Sequence, residues 1–164
     1  MSRFVLFVFA MLWMMSAAYP DEPVWPEGSA MAVGRHMQQS RDYFLKKLES
    51  RQAQLMKAVE AASMQKFGDK EAPDRRLLNA VADLHTAWLA YYPKECELIG
   101  SLSGTGGNWP STHALRCEAN LVYRRYLRLG HVLHCIDRIP AKDSAWEMNR
   151  CLYQLSPMTY GKGL

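Results

Sequence analysis

Residues 115–136 read LRCEANLVYRRYLRLGHVLHCI, and this stretch decides the fold. Apolar residues recur in it at alternating spacings of four and three, which places them on one face of an α-helix. We therefore predict a long amphipathic helix, capped at its start by Ser111 or Thr112 and ended by Pro140. Its apolar face consists of Leu115, Ala119, Val122, Tyr126, Leu129, Leu133 and Ile136.

Three further segments show helical periodicity. Residues 37–67 form the first, and Gly68 stands where a capping glycine would end it. Asp74 is a candidate cap for the second, and Asp143 or Ser144 for a short last helix. No segment alternates with a period of two, so we predict an all-α fold, a small antiparallel bundle of three to four helices. The inward positions are Phe44, Leu48, Leu55, Val59 and Ala62 in the first segment, Leu77, Val81, Leu84, Trp88 and Tyr92 in the second, and Ala145, Met148, Leu152 and Leu155 in the last.

Two interruptions divide this helical pattern. Pro93 lacks a backbone N–H group, and its ring clashes with the carbonyl group four residues earlier, that of Leu89. We therefore expect the second helix to kink or end near residues 89–92. Residues 100–112 are rich in helix-breaking residues, and we expect a loop there. The residues that break the helix are Gly104, Gly106, Gly107, Asn108 and Pro110.

The first 18 residues differ in kind from the rest of the chain. Arg3 is the only charged residue among them, residues 4–15 are all apolar, and small residues follow up to Ala18. This order is typical of a signal peptide cleaved after Ala18. The apolar run is shorter than the roughly 20 residues that span a bilayer. We expect an exported, periplasmic product without stable membrane insertion after cleavage.

Cleavage would leave about 146 residues, enough for one domain with a single core. Residues 19–36 are rich in proline and glycine, and we interpret them as a flexible leader. Residues 37–156 form the helical domain in this interpretation, and residues 157–164 form a C-terminal tail.

The charge balance of the chain is mild. The chain has 20 basic and 16 acidic residues, and Arg3 lies in the signal, so the mature chain carries a net charge of +3. Nucleic-acid binding is usually accompanied by a concentrated basic stripe and a pI above about 9. We therefore expect no nucleic-acid partner, although a weak attraction to acidic partners remains open.

Four cysteines lie in the second half of the chain, and an even number in an exported protein indicates two disulfides. Three pairings are possible. We favour Cys96 with Cys117 and Cys135 with Cys151, because each pair would join the end of one predicted helix to a neighbouring helix. Each bond would then stabilise the fold by roughly 3 kcal/mol on the loop-entropy model.

No motif indicates catalysis, a cofactor or a metal. Ser103 does not lie in a GxSxG sequence, and the glycine-rich run lacks the Lys-Ser/Thr ending of a phosphate-binding loop. There is no CxxC pair, and His131, His134 and Cys135 form an incomplete ligand set for zinc. We expect a protein that is not an enzyme and holds neither a cofactor nor a metal.

Two features suggest binding instead. Trp109 lies in a polar, glycine-rich loop, where it is either an exposed binding anchor or folds back to cap the bundle. A basic strip on the third helix, mostly off its apolar face, is formed by Arg124, Arg125 and Arg128. Such a strip is usually solvated, but it could dock on an acidic surface or pair with a carboxylate of another helix.

Residues 77–129 resemble the LprI-like lysozyme inhibitor family, which comprises small exported bacterial domains. The family's pattern is Ala-Trp-x-x-Tyr-Arg-x-x-x-Cys, a glycine-rich loop, then a Cys with an Arg eight residues later and a Leu beyond it. This chain departs from the pattern at Tyr92 and Pro93, and adds Cys135 and Cys151. The matching residues are Ala87, Trp88, Tyr91 and Cys96 in AWLAYYPKEC, then Gly106, Gly107, Cys117, Arg125 and Leu129.

The resemblance implies a Cys96–Cys117 disulfide and a binding or inhibitor protein, with lysozyme-type muramidases as the target and steric occlusion as the mechanism. The alternative is an envelope interaction or immunity protein that binds one dedicated protein partner. For an inhibitor we expect the loop at residues 100–112 to make the contact, because a disulfide at its base lowers the entropy lost on binding. The candidate partner-binding residues are Asn108, Trp109, Gly106, Gly107 and Arg125.

Overall fold

The computed structural model describes residues 26–67, 75–140 and 144–156, with side chains except those of residues 63–67 and 144–146. It contains helices α1 (Ala30–Phe67), α2 (Arg75–Ser101), α3 (Trp109–Asp137) and α4 (Ser144–Leu152), followed by a 3₁₀ turn (Tyr153–Leu155). There is no strand in the described ranges. The prediction of an all-α bundle of three to four helices is confirmed.

Several sequence predictions concern residues outside these ranges. They are the signal peptide at 1–18, the first part of the leader at 19–25, the caps Gly68, Asp74 and Asp143, and the tail at 157–164.

The chain runs up, down and up again through α1, α2 and α3. Contacts from Ala30 to Thr112 and from Arg41 to Glu118 show that α1 and α3 run in the same direction. The α2 helix runs in the opposite direction, since Cys96, near its end, bonds to Cys117, near the start of α3. After α4 the chain folds back along α3, where the Leu155 carbonyl oxygen accepts a hydrogen bond from Arg125.

The predicted apolar faces form the core. On α3, Val122 and Leu129 are fully buried and Ala119 nearly so, as the spacing of four and three requires. The 3₁₀ turn adds Leu155 to the same core cluster. The core cluster contains Leu48, Leu55, Val59 and Ala62 of α1, Val81 of α2, Leu129 and Val132 of α3, and Met148, Leu152 and Leu155 from the C-terminal segment.

The first helix begins earlier than predicted. Residues 30–36 belong to α1, whereas the sequence had assigned them to the flexible leader. Ser29 caps the helix, because its Oγ accepts a hydrogen bond from the Ala32 N–H group at 3.2 Å. Gly34 is buried, and a side chain there would crowd the Thr112 hydroxyl, so glycine lets the start of α1 lie against α3.

The prediction that Pro93 kinks or ends the second helix near residues 89–92 is wrong for the helix end, because α2 continues through it to Ser101. The residues on either side explain this. Tyr92 is buried beside it, and Cys96 is fully buried and covalently bonded to α3. Tertiary packing and the disulfide thus hold the last turns of α2 in place despite the lost hydrogen bond.

Both favoured disulfides are present. Cys96 bonds to Cys117 with a Cα–Cα distance of 5.4 Å, and Cys135 bonds to Cys151 at 5.7 Å. The first joins the end of α2 to the start of α3, and the second joins the end of α3 to α4. Each bond therefore joins the end of one helix to a neighbouring helix, as predicted.

None of the helices in the described ranges combines the length and the apolar character that a membrane span requires.

Candidate functional site

The turn between α2 and α3 is shorter than predicted. Helix α2 reaches Ser101 and α3 begins at Trp109, so only residues 102–108 lie outside helices, not residues 100–112. Within the turn, Gly104 and Gly107 adopt φ angles of +64° and +65°, which L side chains rarely adopt. The two glycines thereby reverse the chain within seven residues.

Trp109 is the first residue of α3, which corrects its assignment to the loop. Asn108 is the N-cap residue but makes no side-chain capping hydrogen bond, and Pro110 occupies the first turn, where its missing N–H group costs nothing. The Trp109 ring lies 5.9 Å from the His113 ring, centroid to centroid, and the residue remains 36% exposed. Trp109 is thus in contact with His113 and partly exposed, and its role as a binding anchor stays a prediction.

Ser111 and Thr112 do not cap α3, contrary to the prediction. They lie inside its first turn, and both hydroxyls point back to the Asn108 carbonyl oxygen, at 2.9 and 3.0 Å. The Thr112 hydroxyl also lies 2.8 Å from the Ala30 carbonyl oxygen. Because Thr112 is buried, this contact fixes the start of α3 to the start of α1.

Beside the turn, apolar side chains face solvent. Leu98 and Leu102 are 59% and 75% exposed, Ile99 is 45% exposed, and Trp109 continues the same end of the bundle. A shallow groove of about 450 Å³ lies beside these side chains. Its walls include Ile99 of α2, Leu102 just after α2, and His113 of α3. We refer to Leu98, Ile99, Leu102 and Trp109 as the turn patch. Large apolar side chains grouped on a surface are typical of binding sites.

The predicted loop residues take different positions around this patch. Asn108 lies exposed beside Trp109, and Gly106 and Gly107 lie exposed in the turn, with open space where a side chain would be. All three adjoin the turn patch. The Cys96–Cys117 bond connects the two helices directly beneath it.

Arg125, in contrast, does not belong to the patch. It lies 16 residues after Trp109 on α3, about 24 Å along the helix. It is only 5% exposed, and its Nη1 donates a hydrogen bond to the Leu155 carbonyl oxygen at 3.2 Å. The expectation that Arg125 contacts a partner together with the loop is therefore not met by the geometry.

The surroundings of Arg125 are electrostatically unfavourable. Burial, followed by the proximity of Arg128, lowers the pKa of Arg125 to about 10. Its guanidinium carbon lies 5.6 Å from the centre of the Trp88 ring. Trp88 is itself half-buried and stacked on Tyr92 at 4.6 Å.

Sequence reasoning missed Leu98, Ile99 and Leu102. Leu98 lies in the last turn of α2, and Leu102 directly follows the helix and donates its N–H group to the Leu98 carbonyl oxygen at 3.0 Å. Residues 100–112 had been assigned to the loop, so this continuation of the helical turn was missed. A signal for the true helix start was present, because Asn108 followed by Trp109 and Pro110 matches a cap with proline in the first turn.

In the part of the chain that the structure describes, no three His, Cys, Asp or Glu side chains come together as metal ligands. Comparison with known proteins yields no matching family model, no matching curated protein and no matching solved structure.

Proposed function

We propose that this chain is an exported binding protein that uses the turn patch to cover a surface of a protein partner. The observation that carries the proposal is the exposure of Leu98, Ile99, Leu102 and Trp109 at one end of the bundle. Aromatic and large apolar side chains of this kind dominate the energy of protein interfaces.

The rigidity of this end supports the proposal. The Cys96–Cys117 bond holds α2 against α3, and the contact from Thr112 to Ala30 holds α3 against α1. Gly100 is buried where α2 passes the Pro110 carbonyl group. A surface that is already ordered loses less entropy when it binds.

Occlusion is the mechanism that suits such a surface, because nothing in it supplies an acid–base pair. Lysozyme-type muramidases are the first targets to test, on the strength of the family resemblance of residues 77–129. The periplasm is the compartment that the N-terminal sequence favours, and the disulfides are compatible with it.

A dedicated partner of another kind is the second candidate. Arg116 and His113 line the groove of the turn patch. The charge of Arg116 beside an apolar patch favours a partner with acidic residues, whereas lysozymes are cationic. An envelope interaction or immunity protein with an acidic target fits this arrangement.

The test compares wild-type mature protein with the double variant Leu102→Ser, Trp109→Ala. Inhibition of a panel of muramidases and capture of partners from envelope extracts are measured for both. Tyr43→Ala is the matched control, since Tyr43 is 58% exposed on α1 outside the patch.

We expect the double variant to bind its partner at least about tenfold more weakly, because two exposed anchor side chains are removed. Tyr43→Ala should bind as the wild type does. Loss of muramidase inhibition would identify the first candidate. Loss of one captured protein without any muramidase effect would identify the second. Equal activity of all three proteins would refute the turn patch as the binding surface.

A further inference from the structure

A second concave surface lies along the side of the bundle, between α2 and α3. It is a groove of about 400 Å³, within the size range of small-ligand sites. Its α2 wall carries Leu84, Trp88 and Tyr91, and its α3 wall carries three arginines. The charged residues that line it are Arg124, Arg125, Arg128 and Glu95. Arginines outnumber carboxylates in this lining, which favours an anionic ligand.

Arg125 forms the buried part of this groove. Its guanidinium bonds to a backbone carbonyl oxygen, that of Leu155, rather than to a carboxylate. Its Nε atom is buried and has no hydrogen-bond partner within the residues that the structure describes. A buried charge without a counter-ion is strongly unfavourable, and burial accordingly lowers the pKa of Arg125. An anionic group in the groove would offset this penalty.

An apolar cavity adjoins the groove and shares Leu84 with it. The cavity has a volume of about 330 Å³ and lies between α2 and the C-terminal segment. Leu155 lies beside both spaces. Its carbonyl oxygen accepts the hydrogen bond from Arg125, and the residue also lines the apolar cavity. The apolar lining includes Leu77, Val81, Leu84, Leu152 and Leu155. We refer to the groove and the adjoining cavity together as the trough, which thus has a cationic part and an apolar part.

We propose that this trough binds a single-chain amphiphilic anion, a long-chain fatty-acid carboxylate, with its carboxylate at Arg124 and Arg125 and its acyl chain over Leu84 in the apolar cavity. Charge complementarity selects the head group, because a carboxylate forms paired hydrogen bonds with guanidinium groups. The Trp88 ring beside Arg125 supplies a flat apolar wall next to the charge. The inference does not depend on the turn patch, which lies at the end of the bundle.

Displacement of a fluorescent long-chain carboxylate from the mature, disulfide-bonded protein tests the proposal. The competitors are oleate, oleyl alcohol with the same chain and no charge, acetate with the charge and no chain, and oleoyl lysophosphatidic acid with a phosphate head. We expect oleate to displace the probe at least about tenfold better than oleyl alcohol or acetate, since each of these lacks one of the two interactions. Equal displacement by oleyl alcohol, or none by oleate, would overturn the proposal. Tighter displacement by the phosphate ester would overturn the assignment to a carboxylate.

Two pairs of variants locate the site. Arg124→Ala removes an exposed arginine of the groove, and Arg150→Ala removes an exposed arginine on α4 outside it. Ala80→Asp places a charge at the rim of the apolar cavity, and Ala90→Asp places the same charge on an exposed site of the same helix. Because all four positions are exposed, the variants should fold, which circular dichroism verifies.

We expect Arg124→Ala and Ala80→Asp each to weaken oleate binding by about tenfold, and the two controls to leave it unchanged. Trp109→Ala should also leave oleate binding unchanged, which separates failure of this proposal from failure of the turn patch. Equal oleate affinity of Arg124→Ala and Arg150→Ala would show that the groove does not hold the carboxylate.

Discussion

Gly100 shows how one residue controls the packing of two helices. It lies buried in the last turn of α2, and a methyl group added there would overlap the Pro110 carbonyl oxygen and crowd Ala114. Backbone atoms move less readily than a flexible side chain. Glycine at this position therefore lets the end of α2 approach the start of α3 beneath the turn patch.

The substitution Gly100→Ala should lower the free energy of unfolding by about 1–3 kcal/mol, the usual cost of overpacking. Alanine favours a helix by about 1 kcal/mol relative to glycine, which offsets part of this loss. Gly106→Ala is the control, because a methyl group there meets nothing within 4 Å. Urea denaturation of the two variants measures the difference, and equal stability would contradict the close approach.

His85 is a half-buried titratable group on α2, and its Nδ1 atom has no hydrogen-bond partner within the described ranges. Burial lowers the pKa of His85, Arg125 lowers it further, and Glu49 acts in the opposite direction. In the unfolded chain the ordinary value of about 6.5 returns. Below that pH the unfolded state takes up a proton that folded His85 resists, so stability falls as the pH falls.

We therefore expect the wild-type melting temperature to be lower at pH 5 than at pH 7, and His85→Gln to reduce this difference. Differential scanning calorimetry at the two pH values checks it. His131→Gln is the control, because His131 is exposed on α3, and it should retain the wild-type difference. An unchanged difference in His85→Gln would show that His85 is not the group responsible.

At the level of helices, the periodicity of apolar residues predicted which segments are helical, whereas tertiary contacts decide where each helix begins and ends. The apolar faces of α1 and α3 follow from the spacing of their apolar residues alone, because a helix that buries one side needs apolar residues at that spacing. Pro93 was expected to kink or end α2, but the helix continues, held by the packing of Tyr92 and the disulfide at Cys96. The start of α1 was missed because the close contact of Gly34 with Thr112 involves residues 78 positions apart.

Helix α4 has nine residues, too few to be stable by itself in water. It is held by its buried residues Met148 and Leu152 and by the Cys135–Cys151 bond. Replacing both cysteines with serine should lower the free energy of unfolding by about 3 kcal/mol and release α4 first.

Hydrogen exchange of the double variant should show faster exchange in α4 than in α1, with a lower urea midpoint. Arg150→Ala is the control, because the contact of Arg150 with Glu147 is exposed and measures 3.7 Å. Its stability should stay within about 0.5 kcal/mol of wild type. Unchanged protection of α4 in the cysteine variant would show that packing alone holds this helix.

For the whole molecule, the sequence predicted the fold class and both disulfides, but it did not predict which polar residues are buried. Arg125 is the clearest case. Its hydrogen-bond acceptor is the carbonyl oxygen of Leu155, 30 residues later in the chain. No local pattern encodes the return of the chain after α4 along α3, so a residue expected on the surface becomes the floor of a groove.

Export and oxidation should leave a defined covalent product. Intact-mass measurement of protein isolated from producing cells should show loss of residues 1–18 and, in the remainder, four hydrogen atoms fewer than in the reduced chain, because two disulfides form. Protein that retains the N-terminal segment, or carries four free thiols, would contradict the proposed location outside the cytoplasm.

The two disulfides span 21 and 16 residues, and the first loop closes before the second begins. They are neither nested nor crossed. In the proposed export the chain would emerge from a translocation pore with its N-terminus first, and each cysteine could then pair with the next one to appear. Native pairing would follow the order of synthesis, and no bond would have to be broken and remade by an isomerase.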